Sequence, residues 1–114
     1  MSNQKQSLHG EVFFEHRVSV PETATLSIRL LDVSIPDLDY PIIDEQQELV
    51  GDRGSPFPFH LTYDPEQLDP RHHYAIRGQI TYENRFLFLN IAMQSVKLDG
   101  SDPQPLLIRL DKVQ

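Results

Sequence analysis

Residues 25–33 read Thr25-Leu26-Ser27-Ile28-Arg29-Leu30-Leu31-Asp32-Val33. In an extended chain successive side chains point to opposite sides, so Leu26, Ile28 and Leu30 share one face while Thr25, Ser27 and Arg29 share the other. That alternation marks a sheet strand with one buried and one wet side. The same period recurs on both sides of it. Upstream, Gly10 to Val18 reads as a strand that Pro21-Glu22 turns into the first stretch. Downstream, Ile42 to Val50, Pro56 to Tyr63, Tyr74 to Tyr82, Arg85 to Met93 and Pro105 to Asp111 follow as further strands.

Nine prolines and five glycines punctuate these runs, and no stretch carries a helical period. The fold class expected is all-β, a seven-stranded antiparallel β-sandwich, with a small β-barrel as the alternative. In Pro56 to Tyr63, Phe57, Phe59, Leu61 and Tyr63 alternate with Pro58, His60 and Thr62. Pro58 has no N–H, so this strand belongs at an edge or keeps its proline away from the ladder. Residues 1–9 are expected to be a flexible lead-in, and 10–114 a single domain.

A chain of 114 residues can enclose one core. Its 39% hydrophobic and 24% charged residues are those of a soluble globular domain. Seventeen acids against ten Lys and Arg leave a net charge of -7, which repels phosphate backbones and anionic membrane surfaces, so no nucleic-acid partner is expected. The acidity is local. Asp37, Asp39, Asp44, Glu45, Glu48 and Asp52 crowd one segment with Arg53 as its single base, which reads as a solvated acidic loop. The absence of cysteine removes disulfides, thiol catalysis and thiolate metal sites. The longest apolar run, Phe86 to Met93, falls far short of the roughly 20 residues that span a bilayer, so no transmembrane segment is expected.

A turn at Glu83-Asn84 pairs Tyr82 with Arg85, Ile80 with Leu87, Gly78 with Leu89, Ile76 with Ile91 and Tyr74 with Met93, all on the core face. The other face then carries Ala75, Arg77, Gln79 and Thr81 beside Phe86, Phe88, Asn90 and Ala92. Two phenylalanines among polar neighbours are either covered by another part of the chain or anchor a partner. Phe86, Phe88 and Arg77 are the candidate partner-binding residues.

Catalytic and metal chemistry find little support in the residue pattern. No serine or threonine sits in a nucleophile turn, and no glycine-rich loop cradles phosphate. Of the five histidines only His72 and His73 adjoin, and neighbours on a strand point apart. Catalytic residues, metal and cofactor are therefore all expected to be none. Binding of a small ligand or carbohydrate near Tyr74 and Tyr82 is a second reading, and self-association through an edge strand a third.

The run Pro56 to Arg77, with Tyr63-Asp64-Pro65, a short spacer, Asp69-Pro70-Arg71 and Tyr74-Ala75-Ile76-Arg77, resembles the signature of the YbaY/YscW family of bacterial lipoproteins. Gly10-Glu11-Val12 and the stretch Ala24 to Ser34 are also similar to that family's opening strands. The resemblance implies a small β-sandwich and a non-enzymatic protein-binding role, in the manner of pilotins that assist assembly of a secretion-system or outer-membrane component. The partner it implies is another protein, a secretin or a different envelope protein. It gives Tyr63, Asp64, Pro65, Asp69, Pro70, Arg71 and Tyr74 a structural part: the Asp-Pro steps shape a turn, Asp69 accepts backbone N–H groups or pairs with Arg71, and Tyr74 ties its hydroxyl to a loop. Members begin with a lipoprotein signal and a lipidated cysteine. The location expected is cytoplasmic if Met1 is the native start, and that of an outer-membrane lipoprotein facing the periplasm if those elements were removed.

Overall fold

Leu26, Ile28 and Leu30 do lie together on a fully buried face. A computed structural model describes residues 5–14, 20–36 and 40–113. The strands are β1 (Gln6–Phe13), β2 (Thr25–Asp32), β3 (Ile42–Leu49), β4 (Phe57–Tyr63), β5 (Tyr74–Tyr82), β6 (Arg85–Leu89), β7 (Gln94–Val96), β8 (Leu106–Arg109) and β9 (Asp111–Lys112). A small sheet in the order β4-β1-β8 packs on a large one in the order β3-β2-β5-β6-β9, with β7 also pairing β5. The architecture is an all-β sandwich, not a closed barrel.

Three details differ from the sequence reading. β1 starts at Gln6 rather than Gly10, and residues 15–18 of the expected strand lie outside the described residues. Residues 6–9 of the expected lead-in thus form strand, because Leu8 alone turns inward while the backbone pairs with β4. The described strands number nine rather than seven, since β7 and β9 are too short to show a period. The sandwich is also not wholly antiparallel, because β1 and β8 run parallel, with Gly10 opposite Leu106. There the chains come so close that a β-carbon on Gly10 would lie 2.0 Å from the Leu106 carbonyl oxygen.

Between the sheets, Leu26, Ile28, Leu30, Ile76 and Ile80 meet Leu8, Val12, Phe57, Leu61 and Ile108. Gly78 keeps this interface thin, because a β-carbon there would press on Leu110 and Val12. β3 reverses the usual pattern. Its register with β2 turns Asp44, Gln46 and Glu48 toward the small sheet. At the sandwich edge these side chains replace a ladder: Asp44 Oδ2 accepts the Thr62 N–H at 2.7 Å, Gln46 Oε1 accepts the His60 N–H at 2.9 Å, and Gln46 Nε2 donates to the Pro58 carbonyl at 3.2 Å. β4 is an edge strand with Pro58 on this side-chain-bonded border, so its missing N–H removes nothing from the β1 ladder.

The β5–β6 hairpin turns at Glu83 and Asn84, whose φ values are 50° and 64°. Both are left-handed, as a tight two-residue turn requires. Tyr82 pairs with Arg85 and Thr81 with Phe86, but a bulge then shifts the register so that Ile80 pairs with Phe88 and Gln79 with Leu89. One extra residue in a strand carries every later side chain to the opposite face. Phe88 therefore points into the core, 2% exposed, while Phe86 stays outside at 48%. The expectation that both occupy the outer face is corrected for Phe88. Its ring stacks on Phe14 at a centroid separation of 4.3 Å.

The expected core positions of Ile91 and Met93 also change, because β6 stops at Leu89 and β7 resumes at Gln94. Asn90 fills the gap from within. Its Oδ1 accepts the Gly78 N–H, its Nδ2 donates to the Ile76 carbonyl, each at 3.0 Å, and its own N–H donates to the Gly78 carbonyl. Ile91 is extruded and 72% exposed.

Candidate functional site

The outer face of the large sheet is built by β2, β3, β5 and β6. Thr25, Ser27 and Arg29 on β2 stand opposite Leu49, Gln47 and Glu45 on β3, and opposite Thr81, Gln79 and Arg77 on β5. Ser27 and Gln79 are buried as a polar floor, with Gln47 Nε2 donating to Ser27 Oγ at 3.4 Å. Along β6, Phe86 and Leu89 add an apolar margin, and exposed Ile91 stands in the bend beyond. Ile42 and Leu49 are exposed at the β3 side.

Across the middle runs a row of three charges, Glu45, Arg29 and Arg77, each directly opposite the next. Arg29 Nε donates to Glu45 Oε2 at 2.6 Å. Among the described residues no acid pairs with Arg77 on its far side. Its Nε is closed off from solvent without a hydrogen-bond partner among the described residues. Of the sequence candidates for partner binding, the structure thus brings Arg77 and Phe86 to one face and removes Phe88 from it. The sequence reading missed Ile91, which it placed inside, and missed the cross-strand row, which needs the pairing partners of β2.

The acidic segment is not simply a solvated loop. Asp37 and Asp39 lie outside the described residues, but Asp44 holds β4, Glu45 holds Arg29 and Glu48 accepts from Arg53 at 3.1 Å.

The quoted family-motif residues gather at one end of the sandwich. Tyr63 is buried at the end of β4, and burial first, then Asp102 and Asp99, push its hydroxyl pKa up. Asp64 caps a 3-10 turn at Pro65–Gln67 by accepting the Glu66 N–H. After Pro70, Asp69 accepts from Arg71 through the backbone at 2.8 Å and the guanidinium at 3.0 Å. The Tyr74 hydroxyl accepts the Asp69 N–H and donates to the Asp69 carbonyl. This loop walls a cleft of about 490 Å³ between Leu68, His72, Tyr74 and Leu98. With its hydroxyl tied to the loop, Tyr74 offers a bound sugar little hydrogen bonding. No cluster of three or more metal-ligating side chains occurs among the described residues.

His72 joins the loop to β2: Nδ1 lies 2.7 Å from Asp32 Oδ2, and Nε2 lies 3.5 Å from Asp69 Oδ2. Burial pushes the Asp32 carboxyl up, but bonds from the Ser34 hydroxyl and the His72 ring outweigh it and bring the carboxyl below its ordinary value. The Arg71 side chain and N–H lower Asp69 as well. Both carboxyls hold fewer protons folded than unfolded. Their stabilisation is therefore complete above the unfolded value of about 3.9 and is lost as pH falls through the depressed folded values. Carboxyl NMR titration should give both midpoints below about 3.9, with the Ser34 and Arg71 amides losing exchange protection as pH falls through those depressed midpoints. Midpoints at or above the ordinary value would contradict this geometry.

A family model described as the type III secretion system lipoprotein chaperone (YscW) matches residues 3–107. The chain belongs to this family. Among curated relatives of this YscW-family chain is the uncharacterized lipoprotein YbaY of Escherichia coli (strain K12), 24% identical over 105 residues. That match covers 92% of the chain but 55% of YbaY, so the chain spans about half the length of the relative. An alternative pilotin from the type II secretion system of Vibrio cholerae has the same fold, with a TM-score of 0.83, 24% identity, and coverage of 97% of this chain and 99% of that one. The YscW match supplies the family, and the structural neighbour supports the sandwich.

Proposed function

We propose that this YscW-family chain is a non-enzymatic protein-binding module that assists assembly of a secretion-system or outer-membrane component, with a secretin or another envelope protein as its partner. Membership in a lipoprotein chaperone family supports the class of activity and an envelope location. The observation that carries the docking face is Phe86, a large aromatic left 48% exposed on a regular sheet, on the same face as Arg77. Aromatic and Arg side chains are the residues that most often dominate binding energy at interfaces. Phe88 has no part in it, being core.

The test is co-expression with each secretin and outer-membrane assembly component of the source organism, followed by affinity measurement on the complex obtained. Phe86→Ser should weaken that complex by about tenfold or more while leaving the melting temperature near wild type. Undiminished binding by Phe86→Ser would remove this face from the proposal.

A further inference from the structure

We propose that the outer face of the large sheet takes a short partner segment in which a carboxylate is flanked by apolar side chains, the carboxylate seating on Arg77. This inference rests on the docking reading above and specifies the chemistry of the partner. It begins from the charge row. Glu45, Arg29 and Arg77 occupy three adjacent strands in register, so two cations share one acid. The acid is already bound to Arg29 at 2.6 Å. Like charges placed directly opposite each other on a sheet repel, and an acid beyond Arg77 relieves that repulsion.

Within the described residues none does so. Moving outward from β5, the next strand offers Leu89 opposite Gln79, and the strand after it offers Asp111, whose Oδ1 lies 3.6 Å from Arg109 Nε. No described residue hydrogen-bonds the Arg77 guanidinium, and its Nε is buried. A buried donor without a partner is costly and calls for a reason. Here the stem and Nε are held against the sheet while the Nη atoms remain for an incoming group. A guanidinium restrained in this way loses little freedom when a carboxylate binds to it, and its planar fork suits carboxylate geometry.

The surroundings set the rest of the chemistry. Phe86 and Leu89 line the β6 side, and Ile91 projects from the following bend. At roughly 3.3 Å per residue this margin is on the order of 15 Å long, the reach of a short peptide segment. Anionic lipid is the competing source of negative charge, but the chain carries a net charge of -7 and repels an anionic surface as a whole. A peptide delivers its carboxylate locally and fills the apolar margin as well.

The probe is a random twelve-residue peptide library panned against the purified full chain. Peptides selected by wild type should carry Asp or Glu next to apolar residues. The best of them should bind Arg77→Gln about tenfold or more weakly, with Arg77→Lys in between. Arg77→Gln should melt at or above the wild-type temperature, because it removes a buried, unbonded donor, so its weaker binding is not a folding defect. Selected peptides without acidic bias, or acidic ones that bind Arg77→Gln as tightly as wild type, would overturn the carboxylate inference and leave the docking face standing. A library that yields nothing above background on wild type would overturn both. Binding to phosphatidylglycerol vesicles that needs Arg77, with no peptide selected, would assign the cation to lipid phosphate instead.

Discussion

Phe88→Ser should lower folding stability by about 4 kcal/mol, while Phe86→Ser lowers it by less than about 1 kcal/mol. The two residues are separated by one position in a single strand, so composition, propensity and distance from the turn are nearly shared. What differs is the bulge between them, which turns Phe88 onto Phe14 at 4.3 Å and leaves Phe86 at the surface. Truncating Phe88 removes a fully desolvated ring and leaves a cavity lined by Phe14 and its neighbours, and serine adds a hydroxyl with no assured partner. Equilibrium unfolding in urea measures both variants against wild type, with an unchanged slope required for the comparison. Similar losses at the two positions would mean that the strand runs without a bulge.

Asn90→Leu is expected to cost a comparable amount, about 4 kcal/mol, although leucine is more apolar and similar in size. Asn90 is 2% exposed, and its amide satisfies the Gly78 N–H and the Ile76 carbonyl where β6 leaves β5. Leucine leaves two buried backbone groups unbonded, each at about 1–3 kcal/mol. Asn90→Asp separates the halves of the effect, since it keeps an acceptor for Gly78 but loses the donor to Ile76 and buries a charge. The Gly78 amide should exchange with solvent far faster in Asn90→Leu than in wild type. A stability loss below about 1 kcal/mol would show that water or a shifted backbone satisfies both groups.

These two sites also mark where the sequence stopped being informative. Thr25 to Leu30 could be read as a strand because the core-facing Leu26, Ile28 and Leu30 are apolar and the outward-facing Thr25, Ser27 and Arg29 are polar or charged. The hairpin turn was readable for a local reason, the left-handed pair Glu83-Asn84. The bulge was not. Leu87, Phe88 and Leu89 are all apolar, so either face accepts any of them and no polar residue pins the register. β3 read as a weak strand because its inward side chains are Asp44 and Gln46, which serve the backbone of the opposite sheet, and Glu48, which binds Arg53, rather than a core. The parallel pairing of Gly10 with Leu106 joins opposite ends of the chain, and no local pattern encodes it. Of the docking face, Arg77 and Phe86 were legible as residue types in a strand, whereas the charge row required knowing which strands are neighbours.

The border where Asp44 and Gln46 bond the β4 main chain treats the two strands unequally. It uses side chains from one strand and mainly peptide groups from the other, the Thr62 hydroxyl adding one bond to Asp44 at 3.4 Å. Position 60 can therefore change over evolutionary time without disturbing it, since every residue except proline presents the same N–H, whereas a change at position 62 keeps the N–H bond and gives up only the hydroxyl contact. Positions 44 and 46 have no such latitude: a substitution there uncovers a strand margin ready to template onto another chain. Asp44 and Gln46, which make this stretch appear merely water-loving, thus act as guards against fibre growth, and selection on them answers to solubility rather than to any ligand.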